Sequence, residues 1–275
     1  MRDFNLRELQ LSELTILEEV DRLCKENNLT YYLAWGSALG AKRHQGFIPW
    51  DDDIDVCMPW EDYWKFKEIC QKQLDTKYYY QDFISDSDYY LYWAKIRKNN
   101  TTSLTVAEKD LKMHWGICID VFPLIPLKKD RLSSRCKFYH NLLVFLCNKP
   151  FIFCKGYPAT LIKKIKKCIY YCISEKNRVK LAKKCLLALG KEDANYYVDI
   201  SEGTNSKIFP KDVFGKGKDI QFENKKYVGP MQIERYLESV YGNGYMQIPE
   251  EHERVDHGNI IVDLHKDYSF YQNND

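Results

Sequence analysis

The stretch Trp50-Asp-Asp-Asp-Ile-Asp-Val-Cys-Met58 constrains this chain more than any other. Its alternation reads as a strand over Asp53–Met58, on which residues two apart share a face. Asp53 and Asp55 therefore point together, while Ile54 and Val56 point into a core. Two carboxylates about 5 Å apart repel by roughly 3 kcal/mol at an effective dielectric near 20. A divalent cation is the natural compensation, and a carboxylate-only set suits Mg²⁺ or Mn²⁺ better than zinc. Taken alone, Asp51–Asp53 fits a solvated turn equally well; two further features separate the readings.

The first is Asp120, inside Gly116-Ile-Cys-Ile-Asp-Val-Phe-Pro123. A strand is expected over Ile117–Phe122, closed by Pro123, with Ile117, Ile119 and Val121 on one face. Asp120 faces the other way among apolar neighbours, which is costly without a partner. The second is Gly36-Ser37, between an expected strand over Thr30–Trp35 and a short helix ending near His44. Backbone N–H groups at such a helix start cradle phosphate, and carboxylate-held metal neutralises phosphoryl oxygens. A Gly-Ser turn, paired strand aspartates and a third acid on a later strand form the layout of the nucleotidyltransferase fold.

Elsewhere the pattern is α+β. Asn5 with Glu8 opens a helix carrying Leu6, Leu9, Ile16, Leu17, Val20 and Leu23, and Asn27-Asn28 ends it. Pro59 and Glu61 open another, with Tyr63, Phe66, Cys70 and Leu74 as its apolar stripe; a further strand is expected over Tyr89–Arg97. Residues 128–190 read as helical, basic and cysteine-rich. Between Lys128 and Lys184 stand 16 Lys or Arg against two acids, although the whole chain is only +2. The run Leu161–Cys172 has an apolar stripe opposite Lys163, Lys164, Lys166 and Lys167, which suits peripheral contact with an anionic membrane. No nucleic-acid-binding module is visible, so nucleic acid is not expected as a partner. The expected organisation is a nucleotidyltransferase-like core (a mixed sheet flanked by helices, residues 1–127), a basic helical insertion (128–194) and a C-terminal part packing back on the core (195–275).

Composition sets the bounds. With 45% hydrophobic and 29% charged residues, the chain is neither disordered nor fibrous. Its longest apolar stretch, Leu142–Cys147, falls short of the ~18–20 residues that cross a bilayer, and Met1–Asn5 lacks the apolar core of a signal peptide. A cytoplasmic protein is expected, placed by the basic insertion at the inner face of the membrane. Its ten cysteines, with no Cys-x-x-Cys pair, read as reduced and mostly buried thiols rather than a zinc site.

The sequence resembles the LicD family of phosphotransferases, relatives of fukutin and fukutin-related protein. The resemblance rests on Gly36-Ser-Ala-Leu-Gly40 and on Arg43-His-Gln-Gly-Phe-Ile-Pro-Trp-Asp-Asp-Asp-Ile-Asp55. Later blocks follow in order: Lys95-Ile-Arg97 with Thr101-Thr102, Ile119–Pro123, Tyr241–Met246, then Pro249, Arg254 and His257. Ser37 replaces the usual Thr. The resemblance implies transfer of a phosphorylated small alcohol, typically phosphocholine, from a CDP-linked donor such as CDP-choline. The acceptor would be a sugar hydroxyl of a glycan or lipid-linked glycan precursor, and CMP would leave. It further implies that Asp53 and Asp55 hold Mg²⁺, that Asp120 binds metal or takes the acceptor's proton, and that Gly36 and Ser37 cradle phosphate. Lys95, Arg97 and Arg43 are candidate clamps on the diphosphate, and His257 orients substrate or is structural. All six tryptophans lie in the first 115 residues; Trp50 and its neighbours could form an aromatic cage for a trimethylammonium group, or simply core. Ribitol or glycerol phosphate stay open as cargo. Two other readings also stay open: a true nucleotidyltransferase, and a non-catalytic protein binding membranes or nucleic acid through its basic segment.

Overall fold

A capped helix starts the fold. The Asn5 side chain accepts from the backbone N–H of Arg7 at 3.0 Å, and its amide donates to Glu8 Oε1 at 3.0 Å, so the first turn of α1 (Leu6–Glu26) has partners for its free donors. Leu9, Ile16, Leu17, Val20 and Leu23 bury one stripe of α1 beneath a sheet. The computed structural model describes residues 4–127, 132–147, 168–189, 194–201, 206–254 and 258–272, without the side chains of 132–137.

After α1 come β1 (Tyr32–Leu33), α2 (Trp35–His44), β2 (Asp55–Pro59), α3 (Trp60–Gln73), β3 (Tyr78–Gln81), β4 (Ala94–Lys98), β5 (Thr102–Thr105) and β6 (Cys118–Leu127). There follow α4 (Leu132–Cys147), α5 (Glu175–Leu189), β7 (Tyr196–Asp199), β8 (Lys207–Pro210), α6 (Lys211–Phe214), β9 (Lys218–Phe222) and β10 (Lys225–Gly229). The chain continues through α7 (Ile233–Tyr241), β11 (Asn259–Asp263) and α8 (Ser269–Gln272). The main sheet has the order β1-β2-β6-β4-β3, with β7 on β6 and β8 on β7. Among the described residues only β2 and β6 run parallel; the other pairs are antiparallel, so the sheet is mixed and the fold is α+β. Two ribbons, β9-β10 and β5-β11, stand beside it.

Strand boundaries depart from the sequence reading where backbone pairing overrides pattern. The first strand shrinks to Tyr32–Leu33, and β2 begins at Asp55 rather than Asp53. The expected strand from Tyr89 is reduced to Ala94–Lys98, because Tyr89 and Tyr92 are buried as anchors of a second apolar cluster. Pro123 does not close β6, which runs on to Leu127. Asp120 N–H points toward β2, donating to Ile54 O at 2.9 Å, so odd-numbered positions face β4. The nitrogen of Pro123 therefore faces β4 just past Val121, the last residue β4 pairs. The nitrogen of Pro126 faces β2 past Leu124, the last residue paired there. Neither proline removes a bond that a partner could have made.

Two clusters make the core. One joins α1, α2, α3 and the sheet; the other lies under α4 and α5, which bury Leu143, Leu146, Ala182, Leu186 and Leu189 with Ile125 and Leu127 of β6. The chain leaves the sheet through β6 and returns through β7, whose Val198 pairs with Ile125. Of the run Leu161–Cys172, residues 161–167 lie outside the described residues. Among the described cysteines none is disulfide-bonded; Cys24, Cys57, Cys70 and Cys147 are buried, but Cys168 and Cys172 are exposed.

Arg97 belongs to this core and not to a substrate clamp. It is 1% exposed. Its guanidinium donates to Gln81 Oε1 at 2.6 Å, Gly116 O at 3.0 Å and Glu108 Oε1 at 3.0 Å. Burial opposes the Glu108 carboxylate, yet Arg97 holds its pKa below the ordinary value. Arg97→Leu leaves that carboxylate buried and unpaired, so urea unfolding should show a loss of about 3–5 kcal/mol. Arg97→Leu with Glu108→Leu should recover much of it.

Candidate active site

The parallel pairing of β2 with β6 sets Asp55 beside Asp120, and the antiparallel pairing of β6 with β4 sets Lys95 on the other side of Asp120. Residues opposite each other in a sheet share a face, so these three side chains form a row across its middle. Lys95 Nζ donates to Asp120 Oδ2 at 2.6 Å, and the indole N–H of Trp93 donates to Asp120 Oδ1 at 2.7 Å. Burial opposes the Lys95 ammonium, but Asp120, Cys118 and Glu108 together outweigh it and raise the pKa. At Asp55 the pull of Lys95 is outweighed. Burial first, then Asp53, Asp120 and Asp51, push its pKa well above the ordinary carboxyl value.

The acidic loop before β2 is tied from three sides. Gln10 of α1 donates to Asp51 O at 2.9 Å. Asn259 of β11 donates to Asp52 Oδ2 at 3.0 Å while its own oxygen accepts from Ser103 of β5 at 3.0 Å. Ser37 Oγ accepts from the N–H of Asp55 at 2.9 Å. Asp52 is thereby buried as a brace, whereas Asp51 and Asp53 line the cleft. The Ser37 side chain is likewise a buried brace and not part of the cleft lining; the lining residue of that turn is Gly36. A Cβ at Gly36 would stand 2.6 Å from Asp51 Oδ2, so only glycine lets the carboxylate approach the start of α2. Trp35, just before it, has φ of 44°, a conformation that costs an aromatic residue about 1–3 kcal/mol. Tyr236, Asp199 and the cleft hold it there: its backbone N–H donates to Tyr236 at 3.0 Å and its indole to Asp199 at 3.1 Å.

Asp53, Asp55, Asp120, Lys95, Gly36, Arg43 and Trp50 thus share one cleft of about 640 Å³. Of the six tryptophans, Trp35, Trp50 and Trp93 line it, joined by Phe122, Tyr241 and Tyr245; Trp60, Trp64 and Trp115 belong to the second cluster. Arg43 donates to Tyr245 O at 3.0 Å and Gln247 O at 2.9 Å, so it holds the loop after α7 at the cleft wall. Arg97 is outside the cleft, as described above, and His257 lies outside the described residues.

Two further residues, one lining the cleft and one beside the acidic loop, were given no role in the sequence reading. Arg254 places its guanidinium 4.2 Å from the Trp50 ring centroid, and its buried Nε has no hydrogen-bond partner. Its only signal was membership of the last motif block. Glu13 stands on the buried stripe of α1, four residues after Leu9, with Oε2 buried and without a partner. Burial, then Asp53, Cys118, Asp52 and Asp51, push its pKa well above the ordinary value. An acid at a stripe position was the available signal.

Among the described residues no three His, Cys, Asp or Glu side chains are grouped to hold a metal ion. Asp120 accepts one hydrogen bond through each oxygen, from Trp93 and Lys95, and lines the same cleft as Asp53 and Asp55. Mg²⁺ commonly takes only one or two carboxylates, completing its shell with water and substrate phosphate. The all-oxygen pair Asp53 and Asp55, with the repulsion that burdens Asp55, fits that chemistry.

Because the folded pKa of Glu13 is raised, its protonated form is favoured by folding. The associated stability is full below the ordinary value of 4.5 and is lost as pH rises through the folded pKa. Glu13→Gln should therefore match the parent chain in acid and become relatively more stable with rising pH. Thermal unfolding across a pH series measures the difference.

The family described as LicD/FKTN/FKRP, nucleotidyltransferase domain, matches residues 28–145. The lipopolysaccharide cholinephosphotransferase LicD of Haemophilus influenzae is 26% identical over 268 residues, covering 94% of this chain and 97% of the relative. Shorter likenesses join uncharacterised proteins of Rickettsia typhi (41% over 59 residues, 22% of this chain and 19% of the relative) and Rickettsia prowazekii (42% over 52 residues, 19% and 20%). No helix of the described residues is long and apolar enough to cross a membrane. The motif-bearing segment thus matches the LicD/FKTN/FKRP nucleotidyltransferase domain, and the chain aligns nearly end to end with a lipopolysaccharide cholinephosphotransferase.

Proposed function

We propose that this chain transfers phosphocholine from CDP-choline to a sugar hydroxyl of a glycan precursor, releasing CMP. The observation that carries the reading is the meeting of Asp53, Asp55, Asp120 and Lys95 in one aromatic-walled cleft beside Gly36. The name of the Haemophilus relative supplies the cargo. We read residues 1–127 as a nucleotidyltransferase-like core, 128–194 as an insertion and 195–275 as the part that completes the cleft wall.

In this reading Asp53 and Asp55 hold Mg²⁺ or Mn²⁺, which neutralises charge on the donor diphosphate when bound. Gly36 brings the start of α2 close to the same phosphates, and Lys95 offers a fixed positive charge. The acceptor oxygen attacks the phosphorus that carries choline, the bond to the bridging oxygen breaks, and CMP leaves with that electron pair. The hydroxyl proton passes to Asp120, whose orientation Lys95 and Trp93 set. The proton moves late, once the forming O–P bond has made the hydroxyl acidic. Trp35, Trp50 and Trp93 offer aromatic faces to the trimethylammonium group.

Incubating the purified chain with Mg²⁺, a glycan acceptor and CDP-choline, CDP-ribitol or CDP-glycerol in turn should release CMP fastest from CDP-choline. Pyrophosphate release from a nucleoside triphosphate would favour the rival nucleotidyltransferase reading, which the family description also suits. Asp53→Asn should lower turnover by about 10²–10³-fold or more while leaving the fold intact. A near-normal rate would sink the metal assignment.

A further inference from the structure

We infer that the outward face of α4 and α5 is a docking surface for an anionic lipid bilayer, which seats the mouth of the cleft at the membrane. The second half rests on the function proposed above; the first does not. Both helices bury their inward residues in one cluster with β6, so their opposite sides turn away from the body together. Large apolar side chains stand on that outer side: Phe138 is 62% exposed, and Leu181 and Leu187 are 40% and 38% exposed. Ile169 and Tyr171 are also exposed, beside Tyr170, which packs under Arg178 at 3.8 Å. Over the described residues 138–147 and 168–189, five basic residues face one acid, Glu175. Lys176, Lys180, Lys183 and Lys184 are exposed among the apolar residues.

Charge complementarity selects the occupant. Isolated apolar side chains interleaved with lysines match a bilayer interface, where the former enter the acyl boundary and the latter meet phosphate. The face also connects to the cleft. His140 of α4 lies within hydrogen-bond distance of Ile200 O (2.8 Å) and of Tyr92 (3.0 Å). The next residue, Ser201, lines the cleft. Docking through α4 therefore brings to the membrane the helix that anchors the cleft rim, where a lipid-linked acceptor would be presented.

The test is flotation of the full chain with pure phosphatidylcholine vesicles and with vesicles containing phosphatidylglycerol. Recovery with the anionic vesicles alone, reversed by salt, is expected. Changing Lys176, Lys180, Lys183 and Lys184 together to Gln should cut binding about tenfold or more. Phe138→Ser with Leu187→Ser should reduce it further, each variant keeping the parent's thermal unfolding. Equal recovery from both vesicles, or parent-like binding by the lysine variant, overturns the inference. So does concentration-dependent self-association or oligonucleotide binding lost with the same lysines, in the absence of anionic-vesicle binding. Flotation needs no substrate, so binding without CMP release fails only the proposed activity. CMP release on a soluble acceptor without flotation fails only the docking surface.

Discussion

Two carboxylates stand side by side in the middle of a sheet because β2 and β6 run parallel and in register. Asp55 is opposite Asp120, and the low-dielectric surroundings make their mutual repulsion expensive. Much of the surrounding structure answers that cost. Lys95 arrives from β4 on the far side and pairs with Asp120, and Trp93 takes its other oxygen. Asp55 is left facing Asp53 and Asp51.

The surrounding braces keep that arrangement from relaxing. Ser37 holds the start of β2, Gln10 and Asn259 hold the acidic loop, and Tyr236 and Asp199 hold Trp35 in its left-handed conformation. These residues come from both ends of the chain and from its middle. The acidic loop of the first third is therefore set by contacts that α1 and β11 complete. Loss of such contacts would let like charges separate, which is the relaxation expected of an unsupported acidic cluster.

Asp55 and Asp120 were legible because an acid alternating with β-branched residues on a strand has few innocent explanations. The first helix was legible for the same local reason: its cap and stripe are contained in twenty residues. Arg97 shows the limit. It sits two residues from Lys95 on the same strand face, and spacing alone gives both the same role. Burial separates them, because Glu108 and Gln81 reach Arg97 from segments whose approach no periodicity reports. Ser37 is a similar case, since its hydroxyl is spent on Asp55 N–H. The prolines of β6 misled in the opposite direction: a breaker is harmless where the neighbouring strand has already ended.

The sequence by itself determined the acids and their alternation, the glycine at the turn, the α+β character and the excess of positive charge in the middle segment. These are properties of residue type and spacing, which act over a few positions. Tertiary structure alone decided which acid pairs with Lys95, which arginine is buried, and which three tryptophans line the cleft. Each of those outcomes depends on strand order and on how closely distant segments pack, and electrostatic cost in a protein depends on that local burial far more than on the charge itself.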